Sequence, residues 1–407
     1  HEATEAVLRS RNIWLGPRMA TLIGRSDLTD PASAALLNGM SSAVYSFDDT
    51  HAAAIVHPGG PVASALLALC EQNPTSGADF LLAFIIGAEL VCRLSKAISV
   101  APAKARSEWL QTSVCGGIGA ALACGRRLGL NETQMISSIG IAASRASGFR
   151  GLSRSMCFSY MAGSAALAGL EAALLAQCGV VGPEEPLRGD HRFCAVFSAA
   201  ADPDALTSDL GSVFELAVNT FKPYPCGIVI HSIIDACLKV SLPEKSEIQR
   251  VTIEVNSMVQ RLADVPDPKD QFEAQMSMQH WAACALLNRS AGIEETKPAA
   301  LDDERIRSLR KRVEIRSDDK IPRSTARVTV NLVGGGEFLA SVDEGRGSVA
   351  NPLRDEDLQT KFLNQAVAKL GEAKANRLAE ACWQIEEISN IGQLMALSRK
   401  GSGCLSI

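Results

Sequence analysis

Two carboxylates, a hydroxyl and two imidazoles fall within one short stretch, Ser46-Phe-Asp-Asp-Thr-His-Ala-Ala-Ala-Ile-Val-His-Pro-Gly-Gly-Pro61, which runs into an apolar helix expected to begin near Val62. The whole chain has only six histidines, and two of them, His51 and His57, lie here. Imidazole titrates near neutral pH, so it can take and return a proton while Asp48, Asp49 and Thr50 supply hydrogen bonds. The plainer alternative is a boundary, with Asp49 or Thr50 capping a helix and His57-Pro58 ending a loop. A cap accounts for one oxygen and leaves the second acid and both imidazoles without a role, so the stretch reads as a site. A metal held by Asp48, Asp49 and His51 is disfavoured, because consecutive side chains diverge too far to chelate one ion.

A second group of reactive side chains occurs in Phe221-Lys-Pro-Tyr-Pro-Cys-Gly-Ile-Val-Ile-His231. Prolines on both sides of Tyr224 stiffen the backbone and present Lys222 in a defined direction. Cys226-Gly227 then turns into a helix that carries His231 near its start. Taken by itself, this segment also fits a rigid linker with a solvated lysine.

Composition narrows the classes. The 407 residues, 47% apolar and 21% charged, suffice for two domains with a large core. A net charge of −5 without a basic run argues against a nucleic-acid surface. The most apolar stretch, Phe80 to Cys92, carries Glu89 and falls short of the roughly 20 residues of a membrane span. No secretory signal is visible at the start. Twelve cysteines occur without a CxxC spacing, which suggests neither a zinc site nor a redox motif. Cys92, Cys124, Cys237 and Cys284 sit in apolar helical patterns and read as reduced core residues of a cytoplasmic protein.

These residues must be positioned by helices first and strands later. Helical patterns rich in small residues run from Ala32 to Ala43 after Asp30-Pro31, from Gly77 through Ala97, from Ser113 to Leu128, from Asn131 through Ala143 and from Ala162 to Cys178. Asn131 is a plausible N-cap, and glycine and alanine at helical spacing allow close helix axes. The character changes near residue 217. Arg250 to Val255 alternates like a half-buried strand, and Arg327 to Val333 followed by Gly334-Gly-Gly336 and Glu337 to Val342 reads as a hairpin. Helical stretches at His231 to Ser241, Ala274 to Leu287 and Asp302 to Val313 lie among them, and helical patterning returns from Asp355 towards Ser398. The expected fold is mainly α: a large all-helical domain built from residues 1–216 and 351–407, with a smaller α+β domain inserted at 217–350. A cleft between two such domains is a common place for a small-molecule site.

Together these features resemble the MmgE/PrpD family, which contains 2-methylcitrate dehydratase, cis-aconitate decarboxylase and iminodisuccinate epimerase. The resemblance spans nearly the whole chain and rests on four elements. They are the Phe47-Asp-Asp-Thr-His51 and His57-Pro-Gly59 stretch, Glu108-Trp-Leu-Gln-Thr-Ser113, the Lys222-Pro-Tyr-Pro-Cys226 to His231 segment, and Gly347-Ser-Val-Ala-Asn-Pro352. It implies an all-helical domain with an α+β lid, a homodimer, action on small polycarboxylates without metal or organic cofactor, and one or two further helices before residue 1. Carried over by position, Thr50 and His57 match pocket residues of the family, as do Lys222 and His231. Asp49, His51 and Tyr224 lie beside them and complete the expected substrate-binding set. His57 is the expected acid/base, and Lys222 the expected carboxylate anchor or second acid. Asp48 and Asp49 are expected to orient His51 or backbone donors, since like charges repel an anionic substrate.

Three departures alter the expected charge. Where members usually read Trp-His-Pro-Thr-Ser this chain has Trp109-Leu-Gln-Thr-Ser113, so Leu110 stands in place of a histidine. Where many read Lys-Pro-x-His-x-Gly it has Phe158-Ser-Tyr-Met-Ala-Gly163, and the acid of the usual Asp-Phe-Asp-Asp is Ser46. Arg150 or Arg154 could clamp a carboxylate in place of the missing lysine, against the alternative of ordinary solvated arginines. His280 is expected at the border of the cleft or in a packing role, and His191 in an exposed loop. The functional expectation is a lyase that dehydrates or decarboxylates a small polycarboxylic acid. An isomerase or epimerase of a related acid, and a carboxylate-binding protein without catalysis, are the alternatives.

Overall fold

In the computed structural model, which describes residues 1–11, 16–244 and 246–401, the chain divides into two units, each with its own hydrophobic core. The first comprises His1–Val44, Asp48–Asn219 and Arg354–Ile407, and the second Tyr45–Phe47 and Thr220–Leu353.

The first unit is helical. Helix α1 spans Glu2–Arg11, α2 Pro31–Ala43, α3 Gly59–Cys70, α4 Gly77–Ser99, α5 Gln111–Leu128, α6 Glu132–Ser144 and α7 Cys157–Gln177. Their starts follow local chemistry. Asp30 accepts the Ser33 N–H at 2.9 Å with Pro31 at the first helical position, and Asn131 and Gln134 form a reciprocal capping box. Helix α7 begins five residues before the expected Ala162, because no side chain caps its start and the sequence offers no boundary signal there.

Helices α5 and α7 occupy the middle, α5 against α3, α4, α6 and α7, and α7 against α2, α3, α5 and α6. Paired glycines make this possible. A Cβ on Gly119 would lie 2.4 Å from the Gly87 carbonyl oxygen, and one on Gly87 would lie 2.6 Å from that of Gly119, so α4 and α5 touch backbone to backbone. Among the described residues one helix, the 21-residue α7, is long and apolar enough by length and composition to cross a membrane, whereas the sequence reading places the most apolar stretch at Phe80 to Cys92. Its apolarity comes largely from Ala165, Ala166, Gly169, Ala172 and Ala173, all buried against neighbouring helices.

The closing helices Asp355–Leu370, Glu372–Trp383 and Ile391–Ser398 complete this unit. Ile391 and Met395 enter its core, and backbone bonds from Gly77 to the Ile388 carbonyl (2.7 Å) and from Ile391 to the Thr75 carbonyl (2.9 Å) fasten the chain's end to the start of α4.

The second unit is α+β. Four strands, β1 (Ile248–Val255), β2 (Val313–Ser317), β3 (Ala326–Leu332) and β4 (Glu337–Val342), form a sheet in the order β4-β3-β1-β2. The β3–β4 hairpin and the β1–β3 pair are antiparallel, whereas β1 and β2 run parallel. The parallel pair requires a long crossover, supplied by the helical segment between residues 257 and 310. Ala326, Val328, Val330 and Leu332 alternate inward and share a core with Ile233, Ile234 and Cys237 of helix His231–Lys239 and with Trp281 of helix Met278–Asn288. Strand β2 was not expected from sequence. Its Val-Glu-Ile-Arg-Ser has no fully buried residue, so it lacks the apolar alternation of an inner strand and reads as the end of the preceding helix. The expected helix from Ala274 is broken at residues 275–277, where Ser277 caps a fresh start by accepting the His280 N–H at 3.0 Å.

The contact of α4 with α5 can be tested by adding one methyl. Gly119→Ala is expected to lower the unfolding free energy by ~1–3 kcal/mol, as overpacking does in a filled core. Urea unfolding measures it, and an unchanged midpoint would show that the two backbones have room for a side chain.

Candidate active site

His57 is fixed by the residues that precede it. Its Nδ1 lies 2.8 Å from the Asp49 carbonyl oxygen, 3.0 Å from Thr50 Oγ1 and 3.5 Å from Asp48 Oδ1. A carbonyl oxygen only accepts, so this contact assigns the Nδ1 proton; in the neutral ring the basic lone pair is then on Nε2. The Asp48 carboxylate beside Nδ1 attracts the ring whenever it carries a proton. The His57 N–H donates to Thr112 Oγ1 at 2.9 Å, tying the residue to the first turn of α5. Thr50, expected at the site, is fully buried against this ring.

Asp49 turns away to the start of α3. Its Oδ2 accepts the Gly59 N–H at 3.0 Å and the Asn219 side-chain amide at 2.8 Å. Burial, and then the neighbouring Asp48 charge, push its pKa above the ordinary carboxylate value despite these donors. Asp49 thus orients the Gly59 backbone donor, and Asp48 lies by His57. The side chains of Asp48, Asp49 and His51 reach three different partners.

His51 is held at both ring nitrogens inside the helical unit. Nδ1 accepts the Ala54 N–H at 3.3 Å, and Nε2 lies 3.2 Å from Glu215 Oε2. With paired backbone bonds between His51 and Val56, the ring closes the tight loop that delivers His57. Placed by sequence in the substrate set, His51 has its hydrogen-bonding groups occupied by this loop and by Glu215. Glu215 Oε1 in turn accepts from Lys96 Nζ at 2.5 Å. Burial pushes the Glu215 pKa up, but the hydrogen bond and charge of Lys96, then His51, outweigh it and leave it below the ordinary 4.5.

The segment bearing Glu215 is itself anchored by a buried ion pair on α4. Arg93 Nε donates to Glu89 Oε1 at 2.6 Å, and the same carboxylate accepts the backbone N–H groups of Glu215 and Leu216 at 3.0 and 2.8 Å. The Arg93 guanidinium also donates to the carbonyls of Ala205, Ser208 and Val213. Glu89 in an apolar helix was the visible signal for this network, because a buried carboxylate demands partners. Glu215 carried no such signal.

Leu110 and Arg150 hold structure together. Leu110 is buried at the start of α5, with its N–H donating to the Gly148 carbonyl. Arg150 donates through Nε to the Ser107 carbonyl and through Nη2 to the Trp109 carbonyl and Gln111 Oε1 (3.0, 3.2 and 2.6 Å). Burial lowers its pKa. These bonds bind the loop before α5 to the loop after α6. Arg154 and His191 are exposed.

In the α+β unit, Lys222 is only 1% exposed and donates to the Ser46 carbonyl at 3.0 Å and to Ser46 Oγ at 3.1 Å. The solvated lysine of a plain linker is thereby excluded. Gly347 presses on this segment: its φ is +83°, and a Cβ there would meet the Phe221 carbonyl oxygen at 2.3 Å. Tyr224 donates its hydroxyl to Asp235 Oδ1 at 2.5 Å and stands edge-on to His231, ring centres 5.5 Å apart. Burial, then the Asp235 charge, push the Tyr224 pKa well above its ordinary value, so the phenol stays protonated. Asp235 Oδ2 also accepts the Arg346 N–H at 2.6 Å. Sequence reasoning missed Asp235, although its position four residues after His231 places both on one helical face. His280 is fully buried, its Nε2–H donating to the Glu295 carbonyl at 2.7 Å, and burial drives its pKa down to about 4. That is a packing role.

Comparison with known proteins places these residues in a family. The MmgE/PrpD N-terminal domain matches residues 1–206 and the MmgE/PrpD C-terminal domain residues 224–385. The chain is 29% identical to the cis-aconitate decarboxylase of Mus musculus over 97% of its length and 84% of that protein's. Identity to the cis-aconitate decarboxylase of Homo sapiens is 28%, over 93% and 82% of the two chains. The cis-aconitate decarboxylase of Aspergillus terreus is 25% identical, over 94% and 84%.

The Glu215 network has a pH signature. Its lowered pKa means that the folded state favours the ionised carboxylate. The stabilisation is therefore present above the ordinary 4.5 and fades as pH falls through the lower folded value. Glu215→Gln is expected to cost ~1 kcal/mol at pH 7, allowing for the partial exposure of Lys96. That gap should narrow towards pH 3 in urea unfolding; a gap independent of pH would refute the charged pairing.

Proposed function

This chain belongs to the MmgE/PrpD family, and from that premise we propose that it is a lyase releasing CO₂ from a small polycarboxylic acid. One observation supports the reading: the Asp49 carbonyl holds the proton of His57 on Nδ1, so the basic lone pair of the neutral ring is on Nε2, the nitrogen proposed to transfer the proton. The names of the relatives support decarboxylation over the other lyase reactions.

In the proposed step the carbon–carbon bond to one carboxyl group breaks and CO₂ leaves. The electron pair remains on carbon, delocalised towards a neighbouring carboxylate. Protonated His57 delivers its Nε2 proton to that carbon, and solvent reprotonates the ring. Charge developing on the remaining carboxylate requires a preplaced cation, and Lys222 is proposed to provide it. Leu110 and the Phe158 to Gly163 segment lack the cationic side chains that many members carry there. A substrate with fewer or less extended carboxylates than a citrate derivative follows from that loss.

Incubation in D₂O with cis-aconitate, citrate, maleate and fumarate, followed by proton NMR, tests the reading. Release of CO₂ with one deuterium entering the product is the expected result. His57→Gln should reduce it by roughly 10²-fold or more, the usual share of a positioned acid/base. Its folding should match the parent's by circular dichroism. Loss of water alone would reassign the lyase to dehydration, and exchange without bond cleavage would make it an isomerase. No change with any acid would remove the enzymatic reading.

A further inference from the structure

We propose that Ser46 is a positioning residue for Lys222 and sets how firmly that ammonium receives a substrate carboxylate; the proposal rests on the reading of Lys222 as a carboxylate anchor. Four observations carry it. Ser46 lies in the three-residue segment Tyr45–Phe47, which groups with the α+β unit although its neighbours in sequence belong to the helical one. Its φ of +48° is in the left-handed region, which side-chain-bearing residues seldom adopt and which persists only where the surroundings impose it. Its carbonyl oxygen and its Oγ both accept from Lys222 Nζ, at 3.0 and 3.1 Å. Lys222 is among the largest fully buried side chains, so its flexible stem is fixed along its length and its head is aimed by these contacts.

The chemistry of the acceptors matters. Both Ser46 oxygens are neutral, so these two contacts orient the ammonium without placing a negative charge at position 46. A carboxylate in the same place would form a charge-assisted bond to Nζ and compete with the carboxylate of a substrate. Serine at this position thus serves affinity for anions, and the same geometry with an acid would weaken it.

Three substitutions separate backbone from side chain. Ser46→Gly keeps the carbonyl acceptor, accommodates the positive φ without strain and removes only Oγ. Ser46→Asn tolerates the same φ and retains a neutral side-chain oxygen. Ser46→Asp puts the acid in place. With cis-aconitate as the probe, Ser46→Gly is expected to raise KM about tenfold with kcat within about twofold, as loss of one hydrogen bond to a charged group does. Ser46→Asn should restore KM to near the parent value, and Ser46→Asp should raise it beyond the glycine variant.

A second readout is independent of turnover. In ¹⁵N-lysine-labelled protein the Lys222 ammonium signal, assigned by its loss in Lys222→Met, should be visible in the parent and in Ser46→Asn. In Ser46→Gly it should broaden through exchange with water. A Ser46→Gly protein with the parent KM, or with the parent ammonium signal, overturns the proposal. If the parent converts no acid, the lyase reading fails by itself, and the ammonium signal alone decides the role of Ser46.

Discussion

The contact between His57 Nδ1 and the Asp49 carbonyl, at 2.8 Å, governs the rest of the site. An imidazole in solution exchanges its proton between two nitrogens of similar basicity, and a general acid/base needs that ambiguity removed. A side-chain acceptor could rotate away or become protonated, whereas a backbone carbonyl can do neither while the local fold persists. The surrounding structure serves to keep that carbonyl in place. Asp49 is pinned at its carboxylate by Gly59 and Asn219, and the His57 N–H is fixed on Thr112. The tight loop between them is closed by His51. Each bond is ordinary, and their common effect is to keep the proton on Nδ1 and the basic lone pair of the neutral ring on Nε2.

The helical unit supports this arrangement with buried charge, and that carries a cost. Ions removed from water are tolerated only when several polar groups meet them. Glu89 and Arg93 satisfy this condition by gathering the chain from Ala205 to Leu216 around α4. Glu215 is thereby delivered to His51 and Lys96. A substitution in this pair would reach His57 through the loop at residues 51–56 without touching the ring itself. The α+β unit solves a similar problem at Asp235, whose carboxylate accepts from the Tyr224 hydroxyl and from the backbone N–H of Arg346.

The sequence made the helices legible wherever small-residue periodicity coincided with a cap, as at Asp30 and Asn131, and blurred them wherever it did not, as at the start of α7 and at Ser277. Strand β2 escaped because an exposed edge strand has no buried face to imprint a period on its residues. At the site, residue types were readable and their partners were not. The stretch from Asp48 to His57 announces proton chemistry, but nothing in it says that Asp48 lies by His57 while His51 binds Glu215, 164 residues away. Long-range pairing is decided by packing, and no local pattern encodes it. Arg150 shows the same limit: a cation near a missing cation suggests compensation, and no local pattern announces its bonds to the carbonyls of Ser107 and Trp109.

The substitutions that set this chain apart from its relatives make one electrostatic pattern. By the resemblance read from the sequence, Leu110 and the residues from Phe158 to Gly163 stand where cations are expected, and Ser46 stands where an acid is expected. Changes of opposite sign offset each other in total charge but not in distribution. Leu110 is a buried apolar residue at the start of α5, so positive charge is withdrawn from that flank of the helical unit. Ser46 meets Lys222 with neutral oxygens, so position 46 itself adds no negative charge beside the ammonium.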